Sequence, residues 1–155
     1  MRKKEKYQNE MSFEKAVNKL RELIGRGIIL KNKKNGEEVR LSRRSIGKLL
    51  SNAAVAKSIA NGFTRGQHYA AASDIDNLFV NSIKILTQPD KYKNLDIVAM
   101  HRFIAPLFGS NKVYITVKEA KEQGKRIYTI ELIEMRKLEG ILEEAKLNSA
   151  NFPHF

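Results

Sequence analysis

The stretch Met100-His101-Arg102-Phe103 sets an imidazole beside a guanidinium inside an otherwise apolar run. An imidazole gives and takes a proton near neutral pH, and a guanidinium grips a phosphate through two hydrogen bonds. Together they suit cleavage of RNA by its own 2′-hydroxyl, which needs a base, an acid and a cation beside the phosphorane, but no metal. Neighbours on a strand point to opposite faces, so at most one of the two lies on the core side. One then lines a cleft, or the histidine is satisfied at a sheet boundary and its neighbour pairs with a carboxylate. A second cluster is Arg40, Ser42, Arg43, Arg44 and Lys48. If Ser42 caps a helix, free backbone N–H groups gather where the arginines do and form an anion site; a solvated surface with a capping serine is the plainer alternative. Tyr114, Thr116, Lys118 and Tyr128 could form a polar sheet face with stacking rings, as single-strand binders use, or serve ordinary strand packing. His68 and Tyr69, in Gly66-Gln67-His68-Tyr69, complete the candidates.

Other chemistries lack their residues. There is no Gly-rich phosphate loop followed by Lys-Ser or Lys-Thr, no dinucleotide fingerprint and no nucleophile elbow. His68, His101 and His154 do not fall at ligand spacing and the carboxylates are scattered among Lys and Arg, so neither a metal nor another cofactor is expected. Zero cysteines exclude disulfides, thiolate zinc sites and a cysteine nucleophile, which fits the cytoplasm. No apolar run approaches the roughly 18 residues of a membrane span, and no secretory signal follows the charged start. The net charge of +12 is concentrated: residues 1–48 hold 15 basic and 6 acidic side chains. Such a concentration reads as a footprint for a polyanion, most often nucleic acid.

The elements that must position these residues follow from periodicity. After a basic lead-in over residues 1–10, Phe13, Ala16, Val17, Leu20, Leu23 and Ile24 recur at helical spacing, with Ser12 as N-cap and Gly25 and Gly27 as the stop. Ile28–Leu30 and Glu38–Leu41 read as a hairpin around Asn35-Gly36. Ser42 opens a second helix, residues 52–72 read as short helical pieces around a loop, and Ser73-Asp74-Ile75-Asp76 opens a helix whose stripe runs through Ile83 and Leu86 to Pro89. Three strands follow, over 96–105, 112–118 and 126–135, with a polar turn at 119–125; Leu138, Ile141, Leu142 and Ala145 indicate a closing helix. The chain is therefore read as α+β: several helices preceding a small antiparallel sheet, with an N-terminal helix and hairpin and a C-terminal helix, in one domain over 11–150.

The run Ser42-Arg-Arg-Ser-Ile-Gly-Lys48, the segment Asp74-Ile-Asp-Asn-Leu-Phe79, the break Gln88-Pro-Asp-Lys91, the strand Ile97-Val-Ala-Met-His101-Arg-Phe, and the pair Val113–Lys118 and Ile127–Glu131 resemble, in their order, the third class of large polyvalent protein-associated domains. The resemblance covers about residues 38–135. Such domains occur in phage and mobile-element proteins and are grouped with the barnase/EndoU/colicin/RelE-like nuclease fold. The resemblance implies a nucleic-acid processing module in which Ser42 and Lys48 hold a phosphate, His101 is the acid/base residue, and Thr116, Lys118 and Tyr128 line the cleft. No Glu-His pair of the barnase sort is visible in the sequence. The expected catalytic set is thus His101, Lys48 and Tyr128, and the expected nucleic-acid contacts are Arg40, Ser42, Arg43, Arg44, Arg102, Tyr114, Thr116 and Lys118. The partner is RNA or DNA, with metal-independent RNA cleavage as the activity. The alternatives are an inactive accessory module docking on other phage or toxin-system proteins, and a toxin-like protein occupying the ribosome. All of this requires His101, Lys48 and Lys118 to share one hollow.

Overall fold

The structure, a computed structural model, describes residues 10–89, 97–107 and 111–137, with the side chains of residues 131 and 132 left aside. Residues 1–9 of the lead-in and the expected closing helix lie outside the described residues. Five helices and six strands are described. Helix α1 (Phe13–Gly25) opens at Ser12, whose hydroxyl accepts from the Lys15 amide at 3.2 Å, and buries Ala16, Leu20 and Leu23. Strands β1 (Ile29–Lys31) and β2 (Glu38–Arg40) form the hairpin. Helices α2 (Arg43–Leu49), α3 (Asn52–Ala60), α4 (Arg65–Ser73) and α5 (Ile75–Val80) follow. Strands β3 (Ile83–Pro89), β4 (Ile97–Pro106), β5 (Lys112–Glu122) and β6 (Lys125–Arg136) complete one sheet of order β1-β2-β6-β5-β4-β3. The fold is α+β, as expected. All neighbours run antiparallel except β2 and β6, whose parallel pairing consists of Arg40 against Thr129.

Three local expectations are corrected. Ile83–Pro89 is a strand, not the continuation of a helix. The stripe of Ile75, Leu78 and Phe79 stops at Val80, and pairing with β4 captures the β-branched residues beyond it. The polar segment 119–125 is mostly ladder: β5 continues to Glu122, and the turn is Gln123-Gly124, both at positive φ (51° and 79°), the two-residue hairpin geometry. At Asn35-Gly36 only the glycine has positive φ. There the longer connection is held by buried Asn32, which donates to the Phe79 and Ser82 carbonyls (2.9 Å each) and accepts from the Lys34 and Asn35 amides. That clamp, with the ion pair between Glu37 and Lys84, brings the hairpin to β3 at the opposite edge, so the sheet curls.

The core lies between helices and sheet. Phe103, Ile115, Val117, Ile130, Ile133 and Met135 are buried on the sheet, and the Phe79 ring of α5 meets Phe103 at 4.9 Å between centroids. Inside it, His68 connects four elements. Its Nε2–H donates to the Leu49 carbonyl that ends α2, and its Nδ1 accepts from the Ser58 hydroxyl, both at 2.8 Å; Ser58 in turn accepts from the Met135 amide at 3.1 Å. His68, raised as a site candidate, is thereby occupied as a neutral structural link. Tyr69, its companion candidate, is likewise buried, edge-on to Phe13 at 5.7 Å. No helix among the described residues is long and apolar enough to cross a membrane.

Burial holds the His68 pKa below its ordinary value of 6.5; the bond to Leu49 opposes this and the charge of Arg65 adds to it. As pH falls below 6.5 the unfolded chain takes up a proton that the folded chain refuses, so stability present above 6.5 declines toward the folded pKa. Urea unfolding as a function of pH should show this decline, and His68→Ala should lack it. The substitution strands the Leu49 carbonyl and leaves a void, at a cost of about 2–4 kcal/mol at pH 7.5.

Candidate functional site

Where β2 ends, α2 takes its place beside β6, and the step between them leaves a cavity of about 460 Å³. Four cations from three segments line it: Arg40 at the end of β2, Arg44 and Lys48 on α2, and Lys118 on β5. The hydroxyl residues Ser42, Ser45 and Thr129 join them, and the carboxylate among the lining residues is Glu122. Five residues expected to meet phosphate therefore do share one hollow. Ser45 and Thr129 were not foreseen; Thr129 enters only through its register opposite Arg40.

Ser42 caps α2, as expected, in a capping box with Ser45. Ser45 Oγ accepts from the Ser42 amide at 3.0 Å and lies 3.4 Å from Ser42 Oγ. The two serines close the first turn on each other, and α2 has seven residues. The positive charge of this cavity is carried by the side chains of Arg40, Arg44, Lys48 and Lys118. Arg43 points away, lining a separate cavity of about 500 Å³ with Arg21 between α1 and α2.

His101 is not among the residues lining the Lys48–Lys118 cavity, which corrects the expected convergence. The reason is the twofold alternation of strands. On β4, Ala99, His101, Phe103 and Ala105 are buried, while Arg102 lies on the other side with its guanidinium 4.9 Å from the Tyr114 ring centroid. Arg136 sits 5.0 Å from the same ring, and Tyr114 is buried. Tyr114 is thus engaged by two arginines, and Thr116 stands opposite Arg102 in the ladder. Tyr128 does not join this polar face. It pairs with Glu119, on the side of β5 and β6 opposite Lys118 and Thr129.

His101 instead heads a second polar group. Only 4% exposed, it has Nε2 2.7 Å from Glu119 Oε1 and Nδ1 2.9 Å from Thr87 Oγ1. Nε2 is the donor toward the carboxylate, and the threonine hydroxyl supplies or accepts the proton at Nδ1. Arg126 donates to the other oxygen of Glu119, and the Tyr128 ring lies 5.8 Å from that of His101. Burial alone would raise the Glu119 carboxyl, but hydrogen bonds from His101 and Arg126, with their charges, outweigh it and hold the group below 4.5. Burial raises the Tyr128 hydroxyl, and the charges of Glu119 and Glu37 add to this. Glu119 and His101 are thus joined by a direct hydrogen bond that the sequence did not reveal. Counting back from the two-residue Gln123-Gly124 turn sets Glu119 opposite Tyr128, but His101 reaches Glu119 only through the β4–β5 register, in which it stands opposite Val117. Among the described residues, no group of three or more His, Asp or Glu could hold a metal ion.

The model of a family described as large polyvalent protein-associated domain 3 matches residues 9–128. The match takes in α1 and the hairpin, which the motif resemblance over 38–135 left out. No curated protein and no solved structure matches the chain.

The lowered pKa of Glu119 means that its contribution to stability is present above 4.5 and lost as pH falls below it. Glu119→Gln should cost roughly 1–2 kcal/mol at pH 7, as expected for a charge-assisted hydrogen bond. It should also flatten the loss of stability below pH 4.5, read from urea midpoints across the acid range.

Proposed function

This chain belongs to the large polyvalent protein-associated domain 3 family, and from that premise we propose that it is a nucleic-acid-binding module of a phage or mobile-element system. It holds the phosphodiester backbone in the cavity between β2, α2, β5 and β6. The observation that carries this reading is the meeting of Arg40, Arg44, Lys48 and Lys118 with three hydroxyl residues around one hollow. Guanidinium, ammonium and hydroxyl groups are the side chains that grip phosphate oxygens in nucleic-acid interfaces, and they read no sequence by doing so. The +12 net charge supplies the long-range attraction that brings a polyanion to such a hollow.

One observation favours a second reading, metal-independent cleavage of bound RNA. Glu119 and His101, 2.7 Å apart and flanked by Arg126, are a carboxylate, an imidazole and a cation in contact, the groups that transfer to an internal 2′-hydroxyl requires. It predicts that labelled RNA is cut in excess EDTA and that Glu119→Gln and His101→Ala each abolish cutting while binding persists. RNA recovered intact from the unaltered protein removes this reading and leaves binding standing.

Binding is tested by fluorescence anisotropy over a series of salt concentrations. Because each phosphate contact releases condensed counterions, Arg44→Ala and Lys48→Ala should each weaken binding several-fold and reduce the slope of log affinity against log salt by about 1. Both side chains are exposed on α2, so the fold should tolerate the changes. Unchanged affinity and slope in the double variant would overturn the proposal.

A further inference from the structure

Parallel β2 and β6 are paired only through Arg40 and Thr129, and on the amino-terminal side of that pair the strands part. The gap is a cavity of about 440 Å³, separate from the cation-lined hollow but sharing Arg40 and Ile127 with it. The two are contiguous, yet their chemistry differs. The first has no aromatic side chain among its lining residues; the second has the Tyr128 ring, with Ile127 as an apolar wall. Lys125 and Arg126 add cations, and Glu38 contributes a carboxylate. Tyr128 is half-buried and its ring lies 5.8 Å from that of His101, so it is held in place with little freedom left to lose.

We infer that this second cavity receives an unstacked nucleobase, so that the ligand of the module is a single strand. The inference rests on the phosphate-binding reading of the adjoining hollow. A chain whose phosphates lie between Arg44 and Arg40 continues past the Arg40 wall into a space that an aromatic ring and an isoleucine make suitable for a flat base. Every base has a π-face, so stacking on Tyr128 is tolerant of sequence. Glu38 acts only as an acceptor, and the Watson–Crick edges of all four RNA bases carry N–H donors for it. In a duplex those edges and faces are already paired and stacked inside the helix, and a base must be freed before it can enter a pocket. The volume lies within the range of about 300–1,000 Å³ usual for small-molecule pockets.

The test uses three fluorescein-labelled probes with equal numbers of phosphates per strand: a ten-nucleotide single-stranded RNA, the same strand annealed to its complement, and an abasic ten-mer. The expected result is that the base-bearing single strand binds at least tenfold more tightly than the abasic strand or the duplex. Tyr128→Ala should remove about tenfold of that affinity without changing binding of the abasic probe, and Tyr128→Phe should retain it. Because Tyr128 also leans on the core, Glu38→Ala on the exposed rim serves as a second variant, weakening the base-bearing strand several-fold and the abasic strand not at all. If abasic and base-bearing strands bind alike while Arg44→Ala weakens both, the base pocket is overturned and the phosphate cavity stands. If no probe binds with salt-dependent affinity, the phosphate reading itself fails.

Discussion

From the Leu49 carbonyl through His68 and Ser58 to the Met135 amide, polar groups satisfy one another inside an apolar core, and the placement of α2 hangs on that chain. Apolar burial supplies most of the attraction between helices and sheet, but it is non-directional and would tolerate sliding. Hydrogen bonds are not so tolerant. The last carbonyl of α2 has no partner within its own helix, and the imidazole that takes it up also fixes α3 and β6 through one serine. With its carboxyl end pinned there, α2 presents Arg44, Ser45 and Lys48 toward β5 and β6. The cationic cavity is a consequence of that anchorage.

The alternation of the strands then decides which charged groups can meet. Side chains two apart on a strand share a face and adjacent ones never do, so Lys118 is parted from Val117 and Glu119, and Arg102 from His101. Glu119, His101 and Tyr128 gather at one end of the core face, where the curl of the sheet brings in Glu37 and Lys84. On the other side, Arg102 and Arg136 close over Tyr114. The His101–Glu119 pair and the cations of the larger hollow are thus held in different places, and Arg40, Arg126 and Tyr128, at the seam between β2 and β6, are where the two neighbourhoods come nearest to adjoining. This separation is why phosphate binding is the better supported reading and cleavage the second one.

Much of this was legible without coordinates. The excess of cations in the first 48 residues, the serine caps at Ser12 and Ser42, the period of α1 and the alternation of β4, β5 and β6 all follow from local rules, because capping, helical periodicity and strand alternation depend on residues within a few positions of each other. Grouping Arg40, Ser42, Arg44 and Lys48 needed only their closeness in sequence. Even the Glu119–Tyr128 pairing lay within reach of counting back from Gln123-Gly124. What local rules could not supply was the contest between alternatives. Ile83–Pro89 carries apolar residues that suit either a helical stripe or a strand, and only the availability of β4 as a partner chose the strand. Asn35-Gly36 looks like a tight turn, and a distant asparagine contact overrode it. The sequence by itself determined the α+β class, the basic half of the molecule and the grouping of Arg40, Ser42, Arg44 and Lys48. The tertiary structure alone decided that Lys118 joins them and His101 does not, because convergence across a sheet depends on register and curvature, and both are set by contacts between residues far apart in the chain.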